Sequence, residues 1–305
     1  MKQKVLKILI LILLPSIAIC QQVEKDTIRL FYLGGQSNMD GYGQNTELHD
    51  SLKSEFKNVW IFHGNPTPDE KENGGLGKWD ILKPGHGVGF SSDGIKNKLS
   101  DRFGIELSFA KKLQVLYPNE KIALIKYSKV GSSIDSLAAG RFGSWESDYN
   151  GTNGINQYDN FLATIKEALQ TNDIDGDGKE DLLIPSGIIW MQGESDAAYT
   201  EEIANRYYFN LKRLIDLMRA SFLTDDLPVV LGKISDSWNH KDGKVWEFGE
   251  LVQSAQEKYA KTDKNTAIVR NTRYYKYADP WHYDSNGYID LGEKFAEAIY
   301  HLNKN

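Results

Sequence analysis

The sequence predicts an α/β fold: a mostly parallel sheet covered by helices on both faces. Two patterns point to it. Short β-rich runs alternate with longer stretches whose apolar residues recur at spacings of three and four, and no interior linker splits the chain. Its 305 residues suit one large α/β domain or two small ones, and 40% hydrophobic content is enough to bury a core.

In chain order, strands are expected at 27–33, 59–62, 121–127, 187–191, 228–234 and 266–270. Helices are expected at 104–116, 157–170, 200–220, 249–261 and 286–303. Ile203, Tyr207, Leu211, Leu214 and Met218 show the helical spacing that carries the third of these. Two long Gly-rich loops, 64–98 and 131–154, are where binding is expected.

Residues 1–20 differ from the rest. Lys2, Lys4 and Lys7 precede the apolar run 8–14, and Pro15, Ser16 and Ala18 lead to Cys20. This is the pattern of a secretory signal, giving a signal peptide at 1–20, a single domain at 21–305 and a secreted or periplasmic location. A lipoprotein anchor on Cys20 is the weaker alternative, because Ile19 occupies a place where such sites want a small residue. Cleavage removes three lysines and no acid, taking the formal charge from −6 to −9. So acidic a surface argues against a nucleic-acid partner. Cleavage also removes the only cysteine, which excludes disulfides, thiol nucleophiles and zinc–thiolate sites. No later stretch approaches the roughly 20 apolar residues of a membrane span.

Four polar turns carry the chemistry. In Leu33-Gly34-Gly35-Gln36-Ser37-Asn38-Met39 a strand ends in two glycines and a serine. At the carboxyl edge of a sheet, Ser37 can present its hydroxyl and its N–H, although a helix N-cap would look the same. In Asp279-Pro280-Trp281-His282 the carboxylate lies three residues before the histidine. It can hold Nδ1–H and leave Nε2 as a base; a plain surface turn is the alternative. Trp190-Met191-Gln192-Gly193-Glu194-Ser195-Asp196 supplies Gln192, whose amide can donate to an oxyanion, and Glu194, which can orient His282 in place of Asp279 or merely open a helix. Gly131, in Val130-Gly131-Ser132-Ser133, can offer a bare N–H. Nucleophile, base, orienter and oxyanion donors are the parts that acyl transfer needs.

These segments, with His86-Gly87-Val88-Gly89 and Gly104-Ile105-Glu106-Leu107-Ser108-Phe109-Ala110, resemble the SGNH-hydrolase-like carbohydrate esterases. The nearest group is the sialate O-acetylesterases and acetylxylan esterases, carbohydrate esterase family six. The resemblance runs over about residues 28–300. It implies a flavodoxin-like three-layer α/β/α sandwich that needs no cofactor. It also implies Ser37 as nucleophile, His282 as base and Asp279 as third member, with Ser37 N–H, Gly131 N–H and Gln192 at the oxyanion. Broader SGNH enzymes place an asparagine where this chain has Gln192.

The expected function is hydrolysis of O-acetyl esters on carbohydrates, the substrate being acetylated xylan, another glycan or O-acetyl sialic acid. The loop aromatics Trp79, Phe90, Phe142 and Trp145 are candidates for stacking on sugar rings, with ordinary loop packing as the alternative. The competing readings are a lipase or thioesterase on the same fold, disfavoured by polar loops, and a non-catalytic carbohydrate-binding protein. A separate motif, Asp173, Asp175, Asp177 and Asp181 with interleaved glycines, resembles a calcium loop but has Ile184 at the twelfth position. It is expected to hold at most a structural Ca²⁺, or to be a solvated acidic turn.

Overall fold

The computed structural model describes residues 25–68, 71–151 and 154–304. The expected signal segment, including Cys20, lies outside them. A seven-stranded sheet runs through the centre. Its strands are β1 (Asp26–Gly35), β2 (Val59–His63), β3 (Trp79–Ile81), β4 (Lys121–Ser128), β5 (Asp181–Met191), β6 (Val229–Gly232) and β7 (Thr266–Val269). Their order is β7-β6-β5-β1-β4-β2-β3, and every pairing is parallel except β2 with β3. The five main helices are α1 (Glu106–Leu116), α2 (Gln157–Leu169), α3 (Glu201–Ser221), α4 (Gly249–Thr262) and α5 (Ser285–Leu302).

Adjacent residues of β1 show why the sheet is covered on both sides. Successive strand side chains point to opposite faces. Phe31 meets Phe109 of α1 edge to face at 5.5 Å, while Tyr32 meets Phe161 of α2 at 5.0 Å. The result is the expected three-layer α/β/α sandwich. On the Phe31 side α1 and α5 approach closely because Gly292 has no side chain; a Cβ there would lie 2.1 Å from Ser108 Oγ.

Two strands depart from the sequence expectation. β3 sits inside the stretch expected to be loop, as a short antiparallel edge. β5 begins six residues earlier than expected and contains Pro185. The ladder between β1 and β5 slips between Leu30 and Phe31, opposite that proline, so the missing N–H falls at an irregularity.

The register places the chemistry. Gly35, the last residue of β1, pairs with Ser128 and Met191, the last residues of β4 and β5. Three of the four polar turns therefore leave the sheet side by side at its carboxyl edge.

Candidate functional site

Ser37 opens a one-turn helix, Ser37–Asp40, directly after β1. Gly35 takes a φ of +145°, and a Cβ there would stand 1.9 Å from Met191 O, so only glycine lets the chain turn against β5. Ser37 is 5% exposed. Among the described residues neither its hydroxyl nor its backbone N–H has a hydrogen-bond partner. That is the state a nucleophile and an anion-binding N–H require.

Asn38 joins this helix to the histidine turn. Its Nδ2 donates to Trp281 O at 3.2 Å and to Glu194 Oε1 at 2.8 Å. Its Oδ1 accepts from Tyr288 OH at 2.8 Å and from Tyr283 N–H at 3.4 Å. The residue after Ser37 thus grips the residues on either side of His282.

His282 is held from two further directions. Its Nδ1 lies 2.7 Å from Asp279 Oδ2, and Asp279 Oδ1 accepts the N–H of both Trp281 and His282 at 2.8 Å. The Tyr42 ring stacks on the imidazole at 3.5 Å, 7° from parallel. Nε2 has no partner among the described residues. Burial lowers the histidine's pKa and outweighs the opposing pull of Asp279. Burial raises the Asp279 carboxyl, but hydrogen bonds from His282 and the Trp281 N–H outweigh that and leave it below the usual carboxylate range. At neutral pH the arrangement is a neutral imidazole beside a carboxylate, tautomer fixed, with a lone pair free on Nε2.

Glu194 does not orient His282, contrary to one sequence expectation. It is 1% exposed, its Oε1 is taken by Asn38, and Asp279 already occupies Nδ1. Burial pushes its carboxyl up to about 7. Gln192 also departs from expectation. Its amide is fully buried and donates to Asp196 Oδ2 at 2.6 Å and to Ser132 O and Gln36 Oε1 at 3.2 Å, while its Oε1 accepts from Tyr207 OH. No amide hydrogen is left to meet an oxyanion. The side chain instead ties the turn after β5 to the turn after β4.

Gly131 lies on the loop that the Gln192 amide grips through Ser132 O. Its φ is +71°, and a Cβ would sit 2.5 Å from the Phe142 ring. Its N–H has no partner among the described residues. Asp196 locks the same loop by accepting the N–H of Ile134 and Asp135. Gln36 accepts the N–H of Gly193 and Ser195 at the start of the helix Glu194–Ala198. Sequence reasoning missed Asn38, Gln36, Tyr42 and Asp196 as builders of the site. The first two flank Ser37 within the quoted motif, which was the available signal.

Beneath the site, Lys126 is fully buried and pairs with Glu106 at 2.8 Å, its ammonium also donating to Asp40 O and His86 O. This fixes the His86 loop and the start of α1 under the Ser37 helix. Trp79, Phe90 and Trp145 follow the packing alternative rather than sugar stacking. All three are buried: Trp79 donates to Ala168 O, Phe90 stacks on His63, and Trp145 donates to Ser132 Oγ. Phe142 packs against Gly131.

The acidic loop is a separate place, at the opposite end of the sheet. Carboxylate oxygens of Asp173, Asp175 and Asp177 lie within 4.8 Å of one another, but Asp181 groups with Asp26 and Asp175 instead. The expected set of four is therefore two overlapping sets. The Lys121 ammonium bridges Asp26 and Asp175 and already supplies positive charge.

Among the described residues no helix is long and apolar enough to cross a membrane. A family model described as "Carbohydrate esterase, sialic acid-specific acetylesterase" matches residues 27–301. No curated protein matches significantly. Among solved structures, a protein of Arabidopsis thaliana is similar with a TM-score of 0.63 and 18% identity, over 90% of this chain and 98% of that one. NanS is similar at 0.59 and 14%, over 92% and 99%. A carbohydrate acetylesterase from Xanthomonas citri is similar at 0.57 and 18%, over 90% of this chain but only 56% of its own length.

Proposed function

Starting from a chain that belongs to the sialic acid-specific acetylesterase family of carbohydrate esterases, we propose that it removes acetyl groups from acetylated sugars by a Ser37–His282–Asp279 acyl-enzyme mechanism. Family membership makes it a carboxylic ester hydrolase acting on acetylated carbohydrate. The mechanism and the sugar are the proposal. The observation that carries it is the Asn38 clamp, which ties the residue after an unpartnered serine hydroxyl to the residues on either side of a histidine whose Nδ1 is held by a carboxylate.

His282 Nε2 takes the Ser37 proton as Oγ attacks the acetyl carbonyl. The Ser37 and Gly131 N–H groups receive the oxyanion, with Gln192 holding their two turns in place. The sugar oxygen leaves with the proton from His282, and water then releases acetate from Ser37 by the reverse path. The chemistry uses no metal or cofactor. The N-terminal segment would export the enzyme to its glycan. Acetate release from a panel of acetylated xylan, other acetylated glycans and O-acetyl sialic acid tests the reading and names the sugar. A folded protein that binds these glycans without Ser37-dependent acetate release would be a binding protein instead.

The pH profile follows from the base. Because burial lowers the His282 pKa, kcat/KM should be flat around neutrality and fall on the acid side with a midpoint below the unperturbed value of about 6.5. A midpoint near 7 that Glu194→Gln abolishes would give control to Glu194 instead.

For the acidic loop we propose a structural Ca²⁺ held by Asp173, Asp175 and Asp177, with Asp181 bracing the loop through the Ile174 N–H. Ca²⁺ should then raise Tm, and Asp175→Ala with Asp177→Ala should abolish the rise. Melting curves that coincide with and without chelator would leave Lys121 and Lys179 as the cations there.

A further inference from the structure

The mechanism fixes where the sugar must lie. The leaving oxygen takes its proton from His282, so the ring that carries it passes over the histidine turn rather than over the oxyanion donors. Two exposed indoles are carried by that turn and by a loop tied to it. Trp281, next to His282, is 49% exposed, its ring centroid 6.4 Å from the imidazole. Its backbone is committed: the N–H to Asp279 and the carbonyl to Asn38. Trp238 is 62% exposed on a neighbouring loop that Ser237 Oγ ties to Pro280 O at 2.8 Å.

Trp238 has a φ of +56°, a conformation that bulky residues avoid. Asp236 enforces it. That carboxylate accepts the N–H of Trp238 at 2.7 Å and those of Val245 and Trp246 farther along the loop. The Lys244 ammonium, itself paired with Glu250, sits 5.6 Å from the centroid of the Trp238 ring. A strained backbone, a dedicated carboxylate brace and a tie to the histidine turn hold a large apolar ring out in water.

We propose that Trp238 and Trp281 form an aromatic shelf on which the pyranose ring of the acetylated substrate stacks while its ester reaches Ser37. This rests on the esterase reading above. A pyranose presents a face of C–H groups, weakly positive, to the negative face of an indole, so the shelf reads the ring and not the acetyl group. The shelf assigns specificity for the alcohol half of the ester to the two loops around His282, and leaves the acetyl half to the oxyanion turns.

The test compares two esters that share an acetyl group: acetylated xylo-oligosaccharide and ethyl acetate, which has no ring. Trp238→Ala and Trp281→Ala should each lower the ratio of their kcat/KM values about tenfold, through KM for the sugar, and Trp→Phe should restore most of it. Ratios unchanged within about twofold in both alanine variants, or equal losses on both esters, would overturn the shelf. A second measurement does not depend on turnover. In Ser37→Ala protein, xylo-oligosaccharide should quench tryptophan fluorescence, and Trp238→Ala should weaken that binding about tenfold. Absence of quenching by the same sugar from which wild type releases acetate overturns the shelf, and quenching without acetate release from wild type overturns the esterase reading instead.

Discussion

Ser37→Ala is expected to fold with an unchanged Tm and to lose roughly 10³-fold or more in kcat. The fold should tolerate the change because the Ser37 hydroxyl has no partner among the described residues, so its loss orphans nothing. The helix that carries it is held by Asn38, by Gly35 against β5, and by backbone bonds from Met39 and Asp40 to Gln36 O. The activity should not tolerate it, because alanine has no hydroxyl to attack the acetyl carbonyl. Residual turnover from the oxyanion donors and substrate binding would still exceed the reaction in water. Near-normal turnover in folded Ser37→Ala would remove Ser37 as nucleophile.

The second large effect separates two carboxylates. Asp279→Asn is expected to lose at least about 10²-fold in kcat, against the order of 10⁴ when the corresponding aspartate is replaced in the serine-protease case. An amide at 279 can donate to Nδ1, which favours the tautomer with the proton on Nε2, and a proton there blocks the base. Glu194→Gln should lose clearly less. Its Oε1 bond to Asn38 survives as an amide oxygen, and with a carboxyl pushed up to about 7 the protein already carries Glu194 partly protonated at neutral pH. What it would shift is the hold of Asn38 on Trp281 and Tyr283. A loss in Glu194→Gln equal to that of Asp279→Asn would overturn this order. Equal losses that fail to add in the double mutant would mean that the two carboxylates act on His282 as a unit.

The layer architecture was legible because both of its signals are local. A strand rich in aliphatic and aromatic residues ending in Gly34-Gly35, and helices with apolar spacing, need no knowledge of distant neighbours. The Asp279–His282 pair was legible for the same reason: three residues separate them, and one turn closes the contact. The roles of Gln192 and Glu194 were not legible. Both lie on the turn after β5, and which way an amide or carboxylate points there depends on Gln36, Asn38 and Ser132, which arrive from other strands. Stacking or packing was not decided for the loop aromatics for a related reason. The acceptors that draw the Trp79 and Trp145 indole N–H groups inside, Ala168 O and Ser132 Oγ, lie elsewhere in the sequence. Trp238 and Trp281 carry no sequence signal beyond being tryptophans. Their exposure comes from Asp236 and Asp279 turning the backbone under them.

The central claim, that Ser37 is the residue acylated during ester hydrolysis, is tested most directly by covalent labelling. A serine-directed organophosphorus reagent should inactivate the enzyme with one adduct per chain, and peptide mass spectrometry should place that adduct on Ser37, in wild type and not in Ser37→Ala. An adduct on another serine that tracks the loss of activity, or full inactivation of a protein unlabelled at Ser37, would contradict the account.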